Sequence, residues 1–296
     1  MSKGVIVIQD SNNTLYRMYH TQPPRVKGGQ RVEAATAAVN AAVKLTHQED
    51  VVKVICVFDA NGKNFRHDID PDYKATRSGM PEDLQPQEIL AQEALAAAGI
   101  PVIVKKGFEA DDAIGMVAEM YADKGYDVLI ETTDKDMMQL VNDRINLINP
   151  ITKKRIDAEA VKEKLGVAPA RVADLLAVQG DKIDNIIGVD RVGGKTAAKL
   201  INQFGSIQGL IDHAAEIKGA VGKNVQESVG RLPINLQLTT ICADQSRLTP
   251  SELSTIYNAS PNQERCDFFA KNYGFKIGPP RPAPKARPAP GQGLLM

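Results

Sequence analysis

Four short apolar runs punctuate the first half of the chain, at residues 5–8, 51–58, 101–104 and 128–131. Each is continuous rather than alternating and rich in Val and Ile, the pattern of a strand covered on both faces. Between them, residues 34–45, 84–98 and 111–122 carry Ala, Leu and Met at helical spacing. Strand–helix alternation of this kind predicts an α/β fold, a mostly parallel sheet with helices on both faces. After about residue 157 the apolar strands stop, and residues 158–165, 169–179, 195–204 and 207–215 read as short helices separated by Gly and Pro. The expected organisation is therefore an α/β unit over 1–156, a helical region over 157–277 packed on it, and a basic Pro-rich tail over 278–296 in an extended form. No internal repeat is visible.

The 296 residues are 43% hydrophobic, which excludes wholesale disorder. No apolar run approaches the roughly 18 residues that cross a bilayer, and the opening MSKGVIVIQD reaches Asp10 too soon for a secretory leader. Cys56, Cys242 and Cys266 lie far apart, which argues against a disulfide framework or a zinc site and fits a reducing cytoplasm. With 36 basic and 36 acidic residues the net charge is zero, and taken alone that argues against a polyanionic partner.

The distribution of the acids reverses that inference. In an open parallel sheet, ligands bind beyond the carboxyl ends of the strands. The first strand runs into Asp10 and the second into Asp59; the third is followed by Glu109, Asp111 and Asp112, and the fourth by Asp134 and Asp136. Each singly reads as a helix N-cap. As a set converging on one edge they would repel strongly unless protons or cations offset them. Oxygen-only donors suit hard cations such as Mg²⁺ or Mn²⁺. Two such ions about 4 Å apart can activate water and stabilise the leaving oxygen of a phosphodiester. In GDKIDN, Asp181 and Asp184 are three apart, on one face if they form a helical turn, and could complete a second site. Setting these nine acids aside, 36 less nine leaves 27 against 36 basic residues, an acidic pocket in a basic surround.

Two basic stretches lie where a polyanion would need them. Lys63, Arg66, Lys74 and Arg77 follow Asp59 closely, and Tyr73 offers a ring for base stacking. Residues 186–199 read as a hairpin, with Gly188 and Gly193, opening a helix that carries Lys195 and Lys199. Backbone N–H groups at such a hairpin can approach a phosphate closely.

These motifs together resemble the structure-specific 5′ nucleases: the flap endonucleases, the bacteriophage 5′–3′ exonucleases and the 5′ nuclease domain of bacterial DNA polymerase I. The resemblance rests on GFEADD at 107–112, TDKDMMQLV at 133–141, GDKIDN at 180–185 and DYKATR at 72–77, and extends from Val5 to about Phe275. It implies a PIN-like catalytic unit and a helix–hairpin–helix. It also implies two metal sites, with Asp10, Asp59, Glu109 and Asp111 serving mainly the first, Asp112 close by, and Asp134, Asp136, Asp181 and Asp184 nearer the second. Lys74 and Arg77 match basic residues of a helical arch, here at about 61–85, that contact the scissile phosphate. Tyr16 matches an aromatic that stacks on the base beside the cut. The Gly188–Lys199 hairpin matches one that grips duplex DNA around K⁺, except that Asp190 and Arg191 stand where relatives commonly have Pro and Gly. Arg191 would then need to tolerate the backbone conformation of that Gly, at a cost of about 1 kcal/mol or more if φ is positive. The expected partners are DNA 5′ flaps, 5′ ends at junctions and RNA primers, with no membrane and no oligomer implied. No polymerase sequence follows, as in free-standing phage nucleases. The rival readings are an inactive DNA-binding homologue and a small-ester phosphohydrolase, whose nucleophilic Asp-x-Asp pattern Asp134-Lys-Asp136 would offer while the rest of that pattern is missing.

Overall fold

The computed structural model describes residues 2–277, so the Pro-rich stretch at 278–296 lies outside the described residues. Along the chain, β1 (Val5–Asp10) leads straight into α1 (Ser11–Thr21). A two-stranded ribbon, β2 (Val26–Lys27) and β3 (Gln30–Arg31), precedes α2 (Glu33–Thr46) and β4 (Val51–Phe58). Next come the single turn α3 (Arg66–Ile69), α4 (Gln85–Ala97), β5 (Val102–Val104), α5 (Ala110–Asp123) and β6 (Asp127–Glu131). β7 (Ile145–Ile148) and β8 (Arg155–Ile156) complete the sheet. The remainder is helical: α6 (Ala158–Leu165), α7 (Val172–Gln179), α8 (Gly194–Phe204), α9 (Ile207–Asp212), α10 (Gly219–Ser228), α11 (Leu232–Thr239), α12 (Pro250–Asn258) and α13 (Gln263–Tyr273).

The six strands lie in the order β5-β4-β1-β6-β7-β8, parallel throughout except for β8. Alternate residues of β1 and β4 serve opposite cores. Ile6, Ile8, Ile55 and Val57 face α5, whereas Val7, Val54, Cys56 and Phe58 face α2 and α4. Both faces are dry, which is why these strands read as unbroken apolar runs. The first core continues without a break into Val178, Val189, Ile201 and Leu232, so the helical half is fused to one face of the sheet. On the other face α13 returns to cover α4 with Cys266 and Phe269. Strand order reverses beside β1, between β1 and β6, which opens a crevice at their carboxyl ends.

One expectation is corrected here. The helical arch expected at about 61–85 is not formed: apart from α3, residues 61–84 are turns, bends and irregular chain. The strand β7 and the polar helix α1 were not anticipated.

Candidate active site

Each carboxylate is set by the end of an element. Asp10 closes β1 and caps α1, accepting from Asn13 N–H at 3.1 Å, and it also accepts from Thr132 Oγ1 across the crevice at 2.7 Å. Asp59 follows β4; its backbone N–H donates to Asn12 Oδ1 at 2.8 Å, and its carboxylate accepts from Ala110 N–H at 2.9 Å. Glu109 and Asp112 form a reciprocal capping box at the start of α5. Past β6, Asp134 N–H donates to Thr132 Oγ1 at 3.0 Å and Asp136 N–H donates to Asp134 Oδ1 at 2.9 Å. In the helical half, Asp181 Oδ1 accepts from the N–H groups of Ile183 and Asp184, at 2.8 and 3.3 Å. This loop is pinched by a bridge between Asp181 and Ile186.

Eight of the nine acids line one cavity of about 590 Å³: Asp10, Asp59, Glu109, Asp111, Asp134, Asp136, Asp181 and Asp184. Their mutual strain is visible electrostatically. Burial, then the charges of Asp134 and Asp59, pushes Asp10 up to about 7 despite its two hydrogen bonds. Asp136 is likewise pushed up to about 7, by burial and then Asp134. Asp111 is held well above the usual carboxylate range by burial and by Asp134, Asp10, Glu109 and Asp59. Asp136 Oδ1 is buried without any hydrogen-bond partner, a costly orphan that a cation would satisfy. The acid-only donor set and that orphan fit hard divalent ions. Among the described residues no three acids are already drawn together tightly enough to hold one.

The ninth acid is a correction. Asp112 is fully buried and outside the cavity. Its carboxylate takes a fork from Arg66, with Nη1 at 2.7 Å and Nη2 at 2.8 Å, and also accepts from the N–H of Cys242 at 2.8 Å. Arg66 in turn donates to the carbonyls of Leu238 and Thr240, both at 2.8 Å. Asp112 and Arg66 therefore bolt α5 to α3 and to the end of α11; neither is free for a metal or a phosphate.

Tyr73 is a second correction. It is 3% exposed, with its hydroxyl 3.2 Å from Glu109 Oε2 and 3.3 Å from Asp184 Oδ2, so it offers no face for stacking. Lys74 and Arg77 do line the cavity. Lys74 Nζ sits 2.6 Å from Glu109 and 3.7 Å from Asp184. Burial alone would raise Glu109, but Lys74 and Arg66 outweigh it and hold that carboxyl below its ordinary range.

Tyr16 lines the cavity, and beside it on α1 lie Asn13, Arg17 and His20, which were missed from sequence. The i, i+3, i+4, i+7 spacing of the four was the available signal. Arg17 Nε is buried without a partner. Lys135, Ile151 and Ile183 also line the cavity and were missed.

The hairpin lies apart from the cavity lining. Gly188 packs against the chain itself: a Cβ there would stand 2.4 Å from the Gln179 carbonyl carbon. That contact, not an approach to phosphate, requires glycine. Gly193 caps α8 with open space before it, and Lys195 and Lys199 are exposed on α8. Arg191 has φ of +55°, in the left-handed region. The carbonyls of Ile187 and Asp190 accept side-chain amides from Asn235 at 2.9 Å and Asn224 at 2.8 Å.

Two family models divide the chain: the N-terminal resolvase-like domain of 5′–3′ exonucleases matches residues 5–166, and the C-terminal SAM fold of the same enzymes matches 167–262. The chain belongs to the 5′–3′ exonuclease family. Its members are nucleases, that is, hydrolases acting on nucleic acid. DNA polymerase I of Pseudomonas aeruginosa is 36% identical over 285 residues, covering 93% of this chain but 31% of that protein. The chain thus spans about a third of the length of such polymerase relatives. A 5′–3′ exonuclease of Aquifex aeolicus is 35% identical over 207 residues, covering 70% of this chain and 72% of that protein. The fold is shared with the T5 5′-exonuclease solved with bound zinc, at a TM-score of 0.70 and 23% identity over 90% of this chain and 97% of that one. It is shared more loosely with the catalytic core of Rad2 in complex with DNA substrate, at 0.54 and 16% over 92% of each. No helix among the described residues is long and apolar enough to cross a membrane.

Proposed function

We propose that this member of the family is a divalent-metal-dependent 5′–3′ exonuclease and flap endonuclease that hydrolyses DNA phosphodiesters, and RNA primers at the same junctions, in the cytoplasm. The observation that carries the reading is the convergence of eight carboxylates, from four strand ends and the Asp181–Asp184 loop, on a cavity whose wall also holds Lys74 and Arg77. Asp10, Asp59, Glu109 and Asp111 would hold one Mg²⁺ or Mn²⁺, and Asp134, Asp136, Asp181 and Asp184 another. Such ions, when bound, lower the pKa of water and offset charge building on the phosphate.

The chain's own groups orient the substrate. Arg77 and Arg17 are cationic and face the cavity, so they can hold the phosphates on either side of the cut. Tyr16 presents a half-buried ring at the same wall, suited to stacking on the terminal base. Lys195, Lys199 and the open N-terminus of α8 at Gly193 form a helix–hairpin–helix grip on duplex backbone, which fixes register without reading sequence. The balanced net charge is consistent with this division, since the acids are concentrated in the pocket.

Asp134→Ala and Asp181→Ala test the assignment. Each is expected to lower cleavage of a labelled flap by at least about 100-fold while duplex affinity, measured by fluorescence anisotropy, stays within about threefold. Cleavage at wild-type rate in both variants would remove the carboxylates from the mechanism.

A further inference from the structure

The loop at residues 72–74 is docked on two of the carboxylates proposed above as cation ligands. Besides the Tyr73 hydroxyl and the Lys74 ammonium, which both reach Glu109 and Asp184, the backbone joins in. Lys74 N–H donates to the Asp184 carbonyl at 3.0 Å, and Asn185 Nδ2 donates to the Asp72 carbonyl at 2.8 Å. Beneath this seam Tyr73 packs with Ile69, Ile186 and Leu238. The two residues that face each other across it, Lys74 and Asn185, both hold left-handed backbone, with φ of +57° and +58°. Such a conformation is costly for a side-chain-bearing residue and persists where surrounding contacts over-determine it. Glu109 comes from the sheet edge and Asp184 from the helical half, so one ammonium spans the two halves of the acid ring.

An ammonium with hydrogen-bonding reach and a divalent ion need the same carboxylate lone pairs. We propose that residues 72–74 are a latch occupying Glu109 and Asp184 in place of a cation, and that the docked loop and a divalent ion on those two carboxylates exclude one another. The proposal rests on the reading of Glu109 and Asp184 as cation ligands. Loading the site would then release the Lys74 ammonium and uncover the Tyr73 ring on the wall where substrate passes.

Calorimetric titration of Mn²⁺ into the whole chain without DNA tests it, comparing wild type with Tyr73→Phe and Lys74→Met after thermal melts confirm that the variants fold. Tyr73→Phe leaves every charge in place and removes only the latch hydroxyl. Its Mn²⁺ affinity is expected to rise roughly threefold or more, and that of Lys74→Met further. In parallel, hydrogen exchange of the 72–77 segment in wild type is expected to quicken when Mn²⁺ is added, because the Lys74 amide loses its Asp184 acceptor. If Lys74→Met alone binds tighter, with Tyr73→Phe unchanged and exchange at 72–77 unaltered or slowed, the effect is simple charge removal and the latch is overturned, while the ligand assignment survives. Absence of Mn²⁺ binding in all three proteins would overturn the latch together with the ligand assignment beneath it.

Discussion

Two ion pairs stand at the start of α5, anchored on acids three residues apart, and they are built for opposite purposes. In Arg66–Asp112 both partners are buried, the guanidinium meets the carboxylate as a fork, and the remaining donors and acceptors are taken by the backbone of residues 238–242. In Lys74–Glu109 the base is a single ammonium, both partners line the cavity, and Asp184 shares the charge. The planar arginine fork saturates a carboxylate and fixes direction, whereas an ammonium is a point charge that another cation can replace. One acid of the Glu-Ala-Asp-Asp motif is thereby committed to holding the fold, and its neighbours Glu109 and Asp111 remain available for chemistry.

The sharpest way to break that contrast is to remove each acid in turn. Asp112→Ala strands a buried guanidinium and is expected to lower stability by about 3–5 kcal/mol in a denaturant melt. Glu109→Gln keeps the volume and sits at the cavity wall; a smaller loss of stability than in Asp112→Ala is expected, with cleavage down about 100-fold or more. The contrast is wrong if Asp112→Ala melts like wild type.

A smaller effect concerns the acids on the cavity side. Asp10 and Asp136, with ordinary values of 3.8, are pushed up to about 7, chiefly by burial. Between about 4 and about 7 the folded protein keeps protons that the unfolded chain has released, so metal-free stability falls as pH rises through that window and levels off above it. Asp136→Asn removes one such cost. Without metal it is expected to melt a few degrees above wild type at pH 8, about 1–2 kcal/mol, and no higher at pH 4. A variant less stable than wild type at pH 8 would show that the Asp136 carboxylate is satisfied after all.

The sequence was most legible where one physical cause acted alone. Strands buried on both faces must be apolar throughout, so β1, β4, β5 and β6 were visible, and with them the acids that follow each one. β7 escaped because INLI is short and is surrounded by polar turns. The helix α1 escaped because one of its faces is polar. Its polar stripe of Asn13, Tyr16, Arg17 and His20 lines the cavity, leaving too little apolar surface for a recognisable core face. Pairings across long separations were not legible at all. Nothing local tells Asp111, a cavity acid, from Asp112, whose partner Arg66 lies 46 residues away, and Tyr73 reads as a loop aromatic until Glu109 and Asp184 are seen around it.

Cleavage of a 5′-labelled flap duplex in Mg²⁺ and in chelator, beside the same strand labelled at its 3′ end, tests the central claim most directly. Short labelled 5′ products cut at the junction, present with metal and absent with chelator, are the result expected of carboxylates gathered to hold cations around a scissile phosphate. Tight binding with no cut in either Mg²⁺ or Mn²⁺ would contradict it, leaving the fold and the DNA grip in place but the acid ring without a catalytic role.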